Sequence, residues 1–213
     1  MNPPQWSVLH ANGRLTKKSA FWKRVVSSPP VAYHDCPEQL TIFTINDQRP
    51  GCLERQGLPI TNLMAWLPNQ RAVPMKLRGL LTAANRCSTP YLLYVDAIDV
   101  LLFGSTSRIL DQFKSFNCQM LFGAECNHWP AACPTRDWEA AHATPPACWL
   151  NAGCVVASCA WVAAHFPVDT DCEEDQGWWK QRYREHWPDI RIDDGCRIFM
   201  NLYGRTDAET LLP

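Results

Sequence analysis

No stretch of this 213-residue chain approaches the roughly 20 consecutive apolar residues that a membrane helix needs, so a helical span is not expected. The opening Met-Asn-Pro-Pro-Gln-Trp has neither the charged nor the apolar region of a secretory leader, and a cytoplasmic protein without a membrane partner is expected. Excess charge of either sign is also missing. The formal net charge is −1 and there is no basic run, so nucleic acid is not implied as a partner. No glycine-rich phosphate loop accompanies the first strand, which weighs against a sugar-phosphate nucleotidyltransferase. There is no internal repeat, and nothing in the chain sets an oligomeric state.

Cysteine is plentiful by contrast. Eleven cysteines at irregular spacing, an odd count without an export signal, argue against a disulfide scaffold and for buried free thiols. The group Cys126, His128, Cys133, His142 and Cys148 is the exception, with a structural zinc site or one or two disulfides as alternatives. Its Cys-x-His and Cys-x6-Cys spacings are not the paired spacings of zinc knuckles, and it would suit a non-catalytic zinc- or carbohydrate-binding module. An apolar fraction of 46% with ten tryptophans is ample for a packed core. The length suits one domain, or one with a small appendage.

Along the chain, Trp6 to His10 reads as a short strand without a motif, and Thr16 to Val26 as a helix capped by Thr16. Leu40 to Asn46 is a strand by its β-branched and aromatic content, Cys52 to Gln56 a short helix stopped by Gly57, and Ile60 to Trp66 a second strand. Pro74 to Asn85 is a helix with Lys76 in its first turn, the end of the dipole that disfavours a cation. Ser107 to Phe116 and Cys159 to His165 read as helices, as does Gln176 to Trp187. Gln119 to Ala124, Trp149 to Ala157 and Ile190 to Asp194 read as strands, and Ile198 to Leu202 closes the core. Residues 126–148 read as a long proline-rich loop, a length that is usually functional or mobile. Alternating strands and helices predict an α/β fold with a mostly parallel sheet.

The run Tyr91 to Phe103 is apolar and strand-prone except for Asp96 and Asp99. Such a run predicts a strand buried on both faces, where a lone carboxylate is costly. At the carboxyl end of a parallel strand the pair could instead meet a ligand. If the chain turns at Ala97-Ile98, both oxygens can address one hard cation such as Mg²⁺ or Mn²⁺. The plainer alternative is one turn aspartate and one solvated aspartate. Asp193-Asp194-Gly195 reads either as a second acidic site or as a tight turn. Glu173-Glu174-Asp175 at a helix start reads as capping.

In order along the chain, Tyr-Val-Asp96-Ala-Ile-Asp99-Val, Phe-Gly-Ala-Glu125 with Trp129-Pro130, Leu150-Asn151-Ala-Gly153, Glu174-Asp175-Gln176 and Asp193-Asp194-Gly-Cys-Arg-Ile-Phe-Met-Asn201-Leu resemble the glycosyltransferase domain of procollagen lysyl hydroxylase (PLOD-type) enzymes. The resemblance runs from about Leu40 to Leu202, leaving 1–39 as an N-terminal extension and 40–213 as the domain. It implies a GT-A-like fold with a Rossmann-like nucleotide half, a UDP-sugar donor (UDP-glucose or UDP-galactose) and a divalent metal, usually Mn²⁺. By position, Asp96 and Asp99 would be metal ligands, Lys76 would contact phosphate, and Thr44 would line the nucleotide pocket. Glu174 and Asp175 would flank the transferred sugar as the catalytic carboxylates, with Trp129 and Asn151 in the sugar and acceptor region. Members that add glucose retain the anomeric configuration.

Two positions depart from the family. Its third metal ligand is a histidine before the Arg-Ile-Phe segment, where this chain has Asp194. Its uracil-stacking aromatic between the two aspartates is here Ile98. Three carboxylates around a divalent ion leave a charge of about −1, which implies weaker UDP binding and better tolerance of Mg²⁺. The acceptor is open among polysaccharide, lipid and protein hydroxyls.

Overall fold

The computed structural model describes residues 6–11, 20–27, 29, 31–46, 51–66, 72–170, 172 and 174–203. In chain order they form β1 (Val8–His10), α1 (Ala20–Ser27), β2 (Ala32–Tyr33), β3 (Leu40–Thr44), β4 (Ile60–Asn62), α2 (Ala72–Arg86), β5 (Tyr91–Val95) and β6 (Val100–Leu102). There follow β7 (Gly104–Ser105), α3 (Thr106–Ser115), β8 (Met120–Glu125), α4 (Arg136–Ala141), β9 (Trp149–Ser158), α5 (Cys159–His165), α6 (Asp175–Glu185), β10 (Ile190–Asp193) and β11 (Phe199–Asn201). Thr16, read as a helix cap, lies outside the described residues. No helix among those described is long and apolar enough to cross a membrane.

The main sheet has the order β10-β8-β9-β5-β3-β4. β10 with β8, β5 with β3, and β3 with β4 are parallel, but β9 runs antiparallel to both β8 and β5. The sheet is therefore mixed. The segment between β8 and β9 does not cross over. Glu125 at its start pairs with Trp149 at its end, so the chain re-enters the sheet at the edge it left. Within that segment the expected loop contains α4, whose Trp138 packs edge-on against Tyr183.

β5 shows why its sequence is apolar throughout. Leu92 and Tyr94 join the core beneath α2, α5 and α6, with Leu80, Leu81, Val162 and Trp179. Leu93 and Val95 face the opposite core, against Ile109, Leu110 and Phe113 of α3. Successive side chains of a strand alternate faces, so a strand between two helical layers needs apolar residues at every position. The Tyr91 to Phe103 run is nevertheless not one strand. It bends after Val95, and β6 joins a second sheet of order β11-β1-β6.

In that second sheet β1, from the stretch read as an extension, is the middle strand, parallel to β11 and antiparallel to β6. The Ile60 to Trp66 strand is shorter than predicted. Asn62 Oδ1 accepts from Met64 N, which turns the chain into a 3₁₀ helix over Leu63–Trp66. The predicted helix at Cys52 is likewise a 3₁₀ turn, Glu54–Gln56, stopped by Gly57 at φ 70°.

Candidate active site

The bend after β5 brings the two aspartates together. Asp96 N donates to Gly153 O of β9 at 2.8 Å. Cys52 N and Leu53 N donate to Ile98 O and Ala97 O at 3.3 Å each, and Ala11 N to Asp99 O at 2.9 Å. Position 51 must be glycine for this arrangement, since a Cβ there would lie 2.1 Å from Ala97 O. Held from both sides, the bend turns Asp96 and Asp99 towards one point, where His10 of β1 also arrives. His10 Nε2 is 3.8 Å from Asp96 Oδ2 and 3.6 Å from Asp99 Oδ1. Ligand atoms of the three residues lie within 4.8 Å of one another, and no other such cluster of His, Cys, Asp or Glu occurs among the described residues.

Among the described residues, a lysine ammonium also reaches this cluster. Lys76, one turn inside α2, places Nζ 3.0 Å from Asp96 Oδ1 and 3.7 Å from Asp175 Oδ2, and Tyr94 OH donates to Asp96 Oδ1 at 3.0 Å. Burial opposes the Lys76 ammonium, but Asp96 outweighs it and the pKa stands well above the ordinary lysine value. Burial would likewise raise Asp99, yet His10 and Lys76 hold its carboxyl below the usual range. Burial pushes Asp175 up. Burial opposes charge on the His10 ring, but Cys154 and Asp99 raise its pKa well above the ordinary histidine value, and the three carboxylates still outnumber the ammonium and the ring, leaving a negative surplus. Hard oxygen donors with that surplus fit a divalent cation.

The network behind the cluster runs through the end of the chain. Buried Asp193 accepts Arg197 N, Ile198 N and Phe199 N at 2.6 to 2.9 Å, which shapes the turn into β11. Asn201 of β11 donates Nδ2 to Ala124 O at 2.7 Å, and its Oδ1 lies 2.7 Å from His10 Nδ1. Asp194, next to Asp193 in sequence, does not join Asp96 and Asp99. The Asp194 carboxylate accepts Thr144 N at 2.7 Å, and it lies outside the cluster of ligand atoms.

The remaining predicted residues divide. Asp175 reaches the cluster through Lys76, whereas Glu174 is the N-cap of α6, its oxygens accepting Gln176 N at 2.9 Å and Gly177 N at 2.5 Å. Thr44 is buried at the end of β3, with its hydroxyl donated to Val95 O at 2.7 Å. Trp129, 60% exposed, and Asn151 line a neighbouring cavity of about 360 Å³. Its floor is a buried network: Gln176 Nε2 donates to Glu125 Oε1 and Trp129 O, and Asn151 Nδ2 to Glu125 Oε2. Burial raises the Glu125 pKa. Gly153 N donates to Asn151 Oδ1 while Gly153 O accepts Asp96 N, so one residue ties the cavity to the aspartates.

His10, Glu125 and Gln176 are site residues to which sequence reasoning gave no role. His10 sat in a strand without a motif, and its only signal was a polar residue ending an apolar run. The eleven cysteines are free thiols. Cys126, His128, Cys133, His142 and Cys148 do not converge into a ligand set. His142 Nδ1 faces Trp138 O, and Cys133 Sγ faces Thr135 Oγ1.

No curated protein matches this chain. A family model, the PLOD GT domain, matches residues 75–212, a stretch that holds Lys76, Asp96, Asp99 and Asp175 but not His10. The chain is an α/β, GT-A-like glycosyltransferase domain and belongs to the PLOD GT domain family.

Proposed function

We propose that this chain transfers a hexose from a UDP-sugar, UDP-glucose or UDP-galactose, to a hydroxyl acceptor, with Mn²⁺ or Mg²⁺ held by Asp96 and Asp99. The observation that carries this reading is the grouping of two converging carboxylates with one ammonium, Lys76, beside them at the end of β5. A diphosphate leaving group needs such a combination of cation site and fixed positive charge. When bound, the divalent ion would supply Lewis-acid stabilisation of the departing diphosphate.

The protein's own groups account for the rest. Lys76 adds positive charge against the phosphates and, through its contact with Asp175, keeps that carboxylate beside the same centre. Glu174 has its oxygens engaged by the α6 N–H groups, so Asp175 is the member of the acidic pair that steadies the oxocarbenium-like sugar. The end of β3 at Thr44 borders the nucleotide. Trp129 offers an exposed indole face for a sugar ring, and Asn151 with Glu125 offers polar contacts below it. The acceptor hydroxyl, on a glycan or a protein hydroxylysine-linked sugar, enters on that side, and the transfer retains configuration.

A thermal-shift panel of nucleotide sugars with and without Mn²⁺ tests the reading. UDP-glucose or UDP-galactose should raise the melting temperature only when Mn²⁺ is present. Equal shifts without the metal, or a preference for a purine nucleotide, would contradict it.

A further inference from the structure

We propose that Cys87 and Cys159 form a thiol–disulfide exchange site, with Cys87 as the attacking thiol, Cys159 as the resolving one, and small-molecule disulfides such as glutathione disulfide as the substrate class. The pair lies away from the aspartates. Tyr91 stands opposite Ser158 and Val95 opposite Cys154, and Asp96 N bonds to Gly153 O beyond them. At about 3.3 Å per residue, the thiols at the far end of β5 and β9 are roughly 15 Å from the acidic cluster. Nothing at that end depends on a metal or a UDP-sugar.

Two helices bring the thiols together. Cys87 continues α2, its N–H donating to Ala83 O at 2.8 Å. Cys159 opens α5, and its N–H donates to Pro90 O at 2.9 Å, which ties the start of α5 to the turn that Cys87 begins. Both belong to the same side of the core, Cys159 buried within it and Cys87 half-buried at its margin. The two side chains share a hydrogen bond, with Cys159 as donor and the Cys87 sulfur as acceptor. Sulfurs in that contact are side by side, as a disulfide requires.

The surroundings separate the two roles. Cys87 Sγ lies 2.9 Å from Thr89 Oγ1, which is in turn 2.9 Å from Thr41 Oγ1. The hydrogen bond from Cys159, joined by those of Thr41 and Thr89, outweighs burial and lowers the Cys87 pKa from 9.0 to about 5. The same bond, with burial, pushes Cys159 far up. A reachable thiolate beside a buried, protonated thiol is the arrangement of a nucleophile with its resolving partner. Cys118 is the contrast, half-buried as well but pushed by burial up to about 12.

Oxidation of the pair needs only the named reagent. The Cys87 thiolate attacks one sulfur of glutathione disulfide, the S–S bond breaks, and one glutathione thiolate leaves and takes a proton from solvent. Cys159 then gives up its proton and attacks the Cys87 sulfur of the mixed disulfide, expelling the second glutathione thiolate, which takes that proton. The two protein sulfurs lose two electrons, glutathione disulfide gains them as two thiols, and α2 is fastened to α5.

Titration of the full, reduced chain with glutathione disulfide, quenched with acid and mapped by mass spectrometry, tests the assignment. The wild-type chain should first yield peptides joined through Cys87 and Cys159. Cys159→Ala should stop at glutathione on Cys87, and Cys87→Ala should leave Cys159 unmodified. Iodoacetamide at neutral pH should alkylate Cys87 of the native chain at least about tenfold faster than Cys118. Another cysteine pair oxidised first, or glutathione that stays on wild-type Cys87 without passing to Cys159, would overturn the site. Alkylation of Cys87 no faster than that of Cys118 would overturn it too. The wild-type measurements decide by themselves should a variant fail to fold.

Discussion

Lys76 Nζ lies 3.0 Å from Asp96 Oδ1 and 3.3 Å from Asp96 Oδ2, gripping both oxygens of one carboxylate while Asp175 stands at 3.7 Å. A lysine so placed serves the acidic cluster until a more negative partner arrives. Lys76→Met removes that charge and keeps most of the stem. Charge-assisted hydrogen bonds contribute about 1.5–3 kcal/mol, so UDP affinity should fall about tenfold to a hundredfold. Mn²⁺ affinity, read by EPR titration, should hold or rise, because Asp96 loses a competing cation. Unchanged UDP affinity by calorimetry would place the phosphates elsewhere.

Gly153→Ala probes the crowding between β9 and β1. Its Cβ would meet His10 Cε1 at 2.3 Å and Asp96 Oδ2 at 2.8 Å, so one of the two must move. Overpacking of this kind costs about 1–3 kcal/mol. A melting temperature a few degrees lower, together with Mn²⁺ binding weakened at least about tenfold, is the expected result. Full metal affinity in a folded Gly153→Ala protein would show that the cluster has slack.

Away from the site, Lys180 Nζ lies 3.1 and 3.0 Å from the two Glu139 oxygens, and both side chains are completely buried. Glu139 also accepts from Leu150 N and Thr135 Oγ1, anchoring α4 and the start of β9 on α6. Lys180→Met strands a buried charge and should destabilise the fold by about 3–5 kcal/mol. Lys180→Met with Glu139→Gln should recover part of that loss in denaturant unfolding. Equal stability of the wild type and the single variant would mean that water reaches the pair.

Acid should act on the cap of α3. Asp35 accepts from Ser107 N, Ser107 Oγ and Thr106 Oγ1, and although burial opposes it, these bonds lower its pKa from 3.8 to about 2. A depressed folded pKa stabilises above the unfolded value and loses that contribution as pH falls through the folded one. Melting temperatures between about pH 4 and pH 2 should therefore drop less steeply in Asp35→Asn than in the wild type. Parallel curves would remove Asp35 from the acid response.

The sequence disclosed the parts of the site that break a local rule. Asp96 and Asp99 interrupt an apolar strand, and Lys76 sits towards the wrong end of a helix dipole. Each anomaly is paired with another in space. Glu174 was legible as a cap, and the structure keeps it as one. The direction of β9 was hidden because an apolar run reads alike both ways, and only the pairing of Glu125 with Trp149 reveals it. Two consecutive aspartates cannot disclose which one turns inward; Asp193 does, and Asp194 bonds to Thr144. His10 was beyond reach because its partners come from β6, β9 and β11, brought together only by pairing across the whole chain.

Release of UDP from UDP-glucose and UDP-galactose tests the central claim most directly. The wild-type protein with Mn²⁺ should turn over one of the two donors, by hydrolysis when no acceptor is present. In EDTA, or in a folded Asp99→Asn variant, that rate should fall at least about a hundredfold. Undiminished turnover in EDTA, or no turnover of either donor with Mn²⁺, would contradict a metal-dependent UDP-hexose transferase at Asp96 and Asp99.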